Sequence, residues 1–235
     1  MELIKNNYLR GSGNGPTWHV DIDPPTRKVK TYFEETLDTA KYVYDNKEGH
    51  VYLLYSGGLD SQYVFNVFHH LKFDFTPVII KLTNSQGVDY NGYETKYAFE
   101  HCELTGIKPE VIEFDYDAFI ESNKAYEIAT SVECATPAIP TTLHIAEQLP
   151  GFVVFGNDPP YLKNNNGKWQ LEELEIIHSI LRFFKLKNLK GCPFILSYTA
   201  EMMLSFLLDP AIVSLVNNPN SGKLGTNSTK VHVYN

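Results

Sequence analysis

Residues 56–61 read Ser-Gly-Gly-Leu-Asp-Ser. Two hydroxyls, two glycines and a carboxylate stand between an apolar run at 51–55 and a second one, compatible with a helix, at 62–71. A strand that passes through a small-residue loop into a helix start aims the loop N–H groups and the helix N-terminus at one point, and that point favours phosphate. Gly57 and Gly58 permit a tight turn and carry no Cβ to hold a phosphate away. Ser56 and Ser61 offer hydroxyl donors to phosphate oxygens. Asp60 is out of place beside an anion unless a hard cation such as Mg²⁺ lies between carboxylate and phosphate, or unless it caps the helix. A Walker-type loop needs Gly-x-x-x-x-Gly-Lys-Ser/Thr, and the chain contains none.

The elements that must position this loop can be read from periodicity. The spacing predicts a helix over 31–46, a strand over 51–55, and a helix to about Leu71. A second strand covers 75–82; its unbroken apolar stretch, Pro77-Val78-Ile79-Ile80, suits a strand buried on both faces. A loop at 84–91 leads to a helix over 93–105 that ends at Gly106, a natural C-cap. A third strand lies at 109–115, followed by one or two helices over 117–129. A helix broken near Pro140 spans 136–149, and a fourth strand spans 151–155. Further helices are expected over 171–187 and 199–208. Strands alternating with helices at these lengths give an α/β fold with a doubly wound parallel sheet and a helical C-terminal region. In such a sheet ligands bind at the carboxyl ends of the strands, where the loop at 56–61 falls.

The chain divides into an irregular segment at 1–30, a main domain at 31–216 and a polar tail at 217–235. Gly and Pro clusters break up the first segment, although Trp18, His19, Val20 and Ile22 suit a short edge strand. At 235 residues, 43% of them hydrophobic, the chain can bury a full core. The formal net charge of −8 argues against a nucleic-acid partner. The one basic stretch, 182–190, reads as the cation-rich last turn of a helix. Cys102, Cys134 and Cys192 form no C-x-x-C, so neither a zinc site nor a redox pair is signalled, and sparse cysteines suit a cytoplasmic protein. The eight histidines show no metal-ligand spacing. No apolar stretch reaches membrane-spanning length, and the first residues lack the features of a signal peptide.

The string Ser-Gly-Gly-x-Asp-Ser resembles the PP-loop of the N-type ATP pyrophosphatases, a superfamily with an adenine nucleotide alpha hydrolase-like, Rossmann-like fold. Its members split ATP between the α and β phosphates and pass AMP to a substrate oxygen. The order of elements is most similar to the synthetase domain of asparagine synthetase and β-lactam synthetase. Cys134 to Leu143 resembles the Ser/Thr/Pro-rich helix entry of that family, and Gly151 to Asp158 resembles its strand and Gly-rich acidic loop. The resemblance implies that Ser56, Gly57, Gly58, Leu59, Asp60, Ser61 and Gly156 hold ATP, with Lys81 near the adenine. It further implies Mg²⁺ on Asp60 and Asp158, with Asp60 and a lysine acting in catalysis. The candidate lysines are Lys81, Lys163, Lys223 and Lys230. Lys223 and Lys230 lie in the polar tail, where a lid would place them over the site, with Lys223 as the catalytic candidate. The family's second loop reads Gly-x-Gly-x-Asp-Glu, whereas this chain has Gly156-Asn157-Asp158-Pro159-Pro160-Tyr161 and lacks the Glu.

The implied activity is formation of an adenylate on a carboxylate or amide oxygen, followed by attack of an amine or ammonia. Position 2 is Glu rather than the nucleophilic Cys of a glutaminase. The amine is then free ammonia, a substrate amine, or ammonia from a separate glutaminase, and an oligomer stays open. Three other readings stand beside this one. A thiolation enzyme of the same superfamily would use a reactive cysteine, with Cys134 and Cys192 as candidates. A sulfonucleotide reductase would require Glu-Cys-Gly-x-His, which Glu133-Cys134-Ala135-Thr136 does not supply. A nucleotide-binding protein without turnover would account for the weakened second loop.

Overall fold

The computed structural model describes residues 24–134, 138–157, 159–166, 168–172, 175–217, 223–224 and 227–234. Its central strand, β1 (Val51–Leu54), runs directly into the Ser-Gly-Gly loop. Strand side chains alternate between faces, and β1 feeds two apolar layers accordingly. Val51 and Leu53, with Tyr55 just beyond, join one layer, and Leu54 joins the other.

The first layer is built from α1 (Tyr32–Asp45), α2 (Leu59–His70), α3 (Gly92–Thr105) and α8 (Ala200–Leu207). The second takes Phe119 of α4 (Tyr116–Glu121), Ile128 of α5 (Lys124–Val132), Leu143 of α6 (Ala138–Ala146) and Phe183 and Phe184 of α7 (Glu175–Lys187). Between the layers β1 pairs in parallel with β2 (Phe75–Thr83) on one side and with β4 (Phe152–Phe155) on the other. Strands β3 (Glu110–Asp115) and β7 (Gly191–Cys192) complete a five-stranded sheet of order β3-β2-β1-β4-β7, with every pair parallel.

This order sets the site. The chain builds outward from β1 through β2 to β3, then returns past α4, α5 and α6 to lay β4 on the opposite flank of β1. The strand order therefore reverses between β1 and β4, and the loops leaving their carboxyl ends diverge around a crevice. Leu54 is level with Phe155, so residues 56–58 and residues 156–157 leave the sheet side by side.

The expected α/β fold with a doubly wound parallel sheet is thus the observed one, but several details differ. Leu171 and Glu172, expected to open a long helix, instead end β6 (Lys168–Glu172), which pairs antiparallel with β5 (Tyr161–Asn165). The helix begins only at Glu175. Lys-Trp-Gln-Leu-Glu alternates polar and apolar residues, a strand period, and Asn166 takes a left-handed φ of 53° at the bend. The helix expected to break near Pro140 does not break within its described span: Pro140 falls in the first turn of α6, where no intrahelical N–H bond is needed. The polar tail holds regular structure. Its β8 (Lys223–Leu224) adds to β5, and α10 (Asn227–Val233) packs against α2 and α9 (Pro210–Val216). The edge strand expected around Trp18 to Ile22 lies outside the described residues. Among the described residues no helix is long and apolar enough to cross a membrane.

Three tyrosine rings tie α10 to the body. Tyr63 of α2 stacks on Tyr234 at 4.2 Å and 6°. Tyr32 of α1 stacks on Tyr63 at 5.9 Å and meets Phe206 of α8 edge-on at 5.2 Å. Tyr32 is buried at the junction of these elements. Tyr32→Ala is expected to cost about 3 kcal/mol, as large aromatic truncations do, and so to lower Tm by roughly 6–12 °C. Hydrogen exchange at 227–234 should accelerate more than in the central strands. Unchanged exchange there would show that the rings do not anchor α10.

Candidate functional site

Gly58 is the N-cap of α2 and supplies no side-chain cap, which leaves the first-turn N–H groups to other partners. The loop before it is held internally. Ser56 Oγ accepts from the Gly58 N–H at 3.2 Å, the Ser56 and Ser61 hydroxyls lie 3.2 Å apart, and Ser61 Oγ donates to the Gly58 carbonyl at 3.1 Å. Gly57 has φ +82°, a left-handed conformation that L side chains rarely adopt, and a Cβ there would stand 2.8 Å from the Ala98 nitrogen of α3. The loop is therefore wedged against α3. On its other side, a Cβ on Gly156 would lie 2.5 Å from Ser61 Cα. The loop after β4 thus rests directly on the first turn of α2, and two glycines let three segments meet at the crevice.

Asp60 stands in that first turn and is largely buried, its side chain 15% exposed. The Lys230 Nζ of α10 lies 2.7 Å from Oδ2, and the Tyr234 hydroxyl donates to Oδ1. Lys230 is itself only 1% exposed. A buried ammonium is several kcal/mol too costly to keep unless paired, and the Asp60 carboxylate meets that need. Lys230 and Tyr234 are four residues apart, so one face of the C-terminal turn reaches both oxygens. Burial pushes the Tyr63 phenol, stacked on Tyr234, up to about 12, which keeps it neutral near pH 7.

The expected site residues are distributed as follows. Ser56, Gly57, Gly58, Leu59, Asp60, Ser61 and Gly156 converge at the switch point. Lys81 is near the end of β2 and pairs with Glu113 of β3 at 3.1 Å, on the flank of the sheet away from β4. Lys223 and Lys163 are register partners in the small antiparallel sheet. Asp158 lies outside the described residues. The lysine brought to Asp60 is Lys230. Tyr234 escaped the sequence reading altogether. Its signal was the spacing Lys230-x-x-x-Tyr234 in a segment read as a polar tail.

Both Asp60 oxygens bind protein groups, one of them cationic, and that ammonium opposes a second cation such as Mg²⁺ on the same carboxylate in this arrangement. Among the described residues no three His, Cys, Asp or Glu side chains cluster as a metal site. The pairing also removes the conflict that made Asp60 look misplaced. A bare carboxylate ~5 Å from a phosphate charge would oppose it by about 3 kcal/mol at an effective dielectric of 20. Paired with Lys230, it presents no net charge.

Of the two cysteines expected to serve a thiolation enzyme, Cys192 is buried. Burial pushes the Cys192 thiol up to about 12 and the Cys102 thiol up to about 11. Cys134 is half-buried.

Two outcomes follow from this geometry. Gly57→Ala combines a positive φ with a backbone clash, so it should cost roughly 2 kcal/mol and weaken nucleotide binding by about tenfold or more. Gly106→Ala, with φ +70° but open space around it, should cost about 1 kcal/mol and leave binding unchanged; equal effects on binding would dissociate the loop from the ligand. In the second, thiols raised to about 11 and 12 stay protonated at pH 8. Titration of the native protein with an aromatic disulfide at pH 8 should therefore modify Cys134 alone, with Cys102 and Cys192 reacting only after unfolding. Rapid modification of Cys192 in the native protein would reverse this assignment.

No family model matches the chain, and no curated protein matches it. Among solved structures it is similar to a predicted subunit of tRNA methyltransferase from Methanocaldococcus jannaschii, with 22% identity, 62% of this chain and 67% of that one covered, and a TM-score of 0.36. It is similar to NMN synthetase from Francisella tularensis at 17% identity, over 68% of this chain and 72% of that one, with a TM-score of 0.37. It is also similar to the U34-tRNA thiolase NcsA from Methanococcus maripaludis at 13% identity, over 86% of this chain and 71% of that one, with a TM-score of 0.41. With TM-scores below 0.5, none of these likenesses bears on the chemistry of the site.

Proposed function

We propose that the chain is an ATP-dependent adenylating enzyme of the PP-loop type, similar in chemistry to the synthetase domain of asparagine synthetase. The observation that carries this reading is the Ser56–Ser61 loop itself. It stands at the reversal of strand order, ends in the N-terminus of α2 without a side-chain cap, and is pressed between Ala98 and Gly156. Loop and helix N–H groups receive the phosphates of ATP, and the α2 dipole adds partial positive charge there. The Ser56 and Ser61 hydroxyls fix the loop and stand at its mouth. Binding orients the α-phosphate toward a substrate carboxylate or amide oxygen. That oxygen bonds to the α-phosphorus, the bond from it to the bridging oxygen breaks, and pyrophosphate departs. An amine or ammonia then attacks the activated carbon and AMP leaves. The chain contributes position and preset electrostatics more than covalent chemistry.

A second reading, nucleotide binding without turnover, is favoured by one observation: the Asp60 carboxylate is already engaged by Lys230 and Tyr234. Turnover separates the two. Incubation with ATP, MgCl₂, ammonium and a pool of carboxylic acids should yield AMP and pyrophosphate, resolved by chromatography. Asp60→Ala, which also strands the buried Lys230 charge, should abolish the product. ADP with orthophosphate would retire the adenylating reading, and ATP bound and recovered intact with every acid in the pool would retire it in favour of the second.

A further inference from the structure

We propose that the Ser56–Ser61 loop takes up phosphate without a loop-bound divalent ion, because Lys230, positioned by Asp60 and Tyr234, cancels the Asp60 charge that Mg²⁺ is otherwise expected to neutralise. The inference rests on the nucleotide reading of the loop and concerns how that loop manages charge. It begins from a mismatch: the one described carboxylate in the loop has both oxygens occupied by a buried ammonium and a phenol hydroxyl.

Three observations indicate a built device rather than a chance contact. Lys230 is 1% exposed and is therefore little screened by water or salt. Held against Asp60, it removes the repulsion that this carboxylate would exert on an anion at the first turn of α2. Tyr234 is held in plane by its ring stack on Tyr63, which lies three residues beyond Asp60 on the same helix. Hydroxyl and ring of Tyr234 thus engage α2 at consecutive turns and set the register of α10 on it. The Asp60 carboxylate, gripped from two sides, in turn fixes the ammonium. Asp60 and Tyr234 are positioning residues here, and Lys230 is the charge they place.

The test is the affinity of the whole chain for inorganic pyrophosphate, measured calorimetrically in EDTA and again in MgCl₂. Binding should persist in EDTA. Lys230→Met should weaken it about tenfold or more in EDTA, whereas Lys230→Arg, which restores the charge, should return it to within about threefold. Tyr234→Phe keeps the ring stack and removes only the hydroxyl. It should weaken binding in EDTA by about three- to tenfold while lowering Tm by only a few degrees and leaving the far-UV spectrum unchanged, which keeps the inference testable if Lys230→Met does not fold. Binding that appears only with MgCl₂, or equal binding in EDTA by the wild type and the folded Lys230→Met and Tyr234→Phe variants, overturns it. Metal-dependent binding with AMP formation would overturn this inference and leave adenylation standing. Charge-dependent binding in EDTA without AMP formation would do the reverse. Absence of pyrophosphate binding under every condition would overturn both.

Discussion

Taking the Lys230 ammonium out of water carries a penalty of several kcal/mol, and its ion pair with Asp60 offsets that penalty. The consequence runs in both directions along the chain. The first turn of α2 cannot present a bare carboxylate while α10 is docked, and α10 cannot dock without the carboxylate. A segment that is polar and short of apolar residues by sequence is thereby fastened to the centre of the molecule. Hydrophobic burial contributes as well, through Val233 and the Tyr32, Tyr63 and Tyr234 rings. Such packing alone is not directional. The ion pair and the Tyr234 hydroxyl specify which turn of α10 meets which turn of α2.

That contact matters because of where the sheet puts it. Parallel pairing of β1 with both β2 and β4 makes β1 the pivot of the fold. The loops leaving β1 and β4 must then pass each other, and side chains at the crossing would hold them apart. Gly57 and Gly156 solve two different steric problems at that point. The first tolerates a left-handed turn against α3, and the second lets one backbone lie on another. With both in place, the N-terminus of α2 opens into the crevice, close enough to the loop after β4 for one ligand to touch both.

Much of this was legible in the sequence, for identifiable reasons. The apolar run before Ser56 and the period-3.6 pattern after Ser61 report local preferences that burial reinforces, so β1, the loop and α2 were readable. The β5–β6 hairpin was not, because its apolar residues also suit the helix that follows, and the alternation in 168–172 is only five residues long. The two-residue strands β7 and β8 exist only because a neighbouring strand is in reach, and no local pattern can announce them. Asp60 was legible as a charged residue in an anion loop, but its partner was not. A salt bridge between residues 170 positions apart depends on the completed fold. Composition favoured Lys223 and Lys230 equally, and only the packing of α10 on α2 separates them.

The Lys230–Asp60 pair does not by itself make the loop positive. The two charges cancel, and what survives is the partial positive charge of the α2 N-terminus, about half an elementary charge, together with the donors of the loop. An anion arriving at such a site meets dipoles instead of a formal cation. The chain as a whole is acidic, with a formal net charge of −8. Exposed charges are screened beyond about 8 Å at physiological ionic strength, so the distant part of that charge matters little to a bound phosphate. Among the described residues of the loop, the near charge that counts is Asp60. Cancelling it with a buried ammonium, which salt screens poorly, makes the sign of the site a property of the fold rather than of the medium. It also links two events that a metal ion would keep separate, since whatever loosens α10 from α2 returns a negative charge to the mouth of the loop.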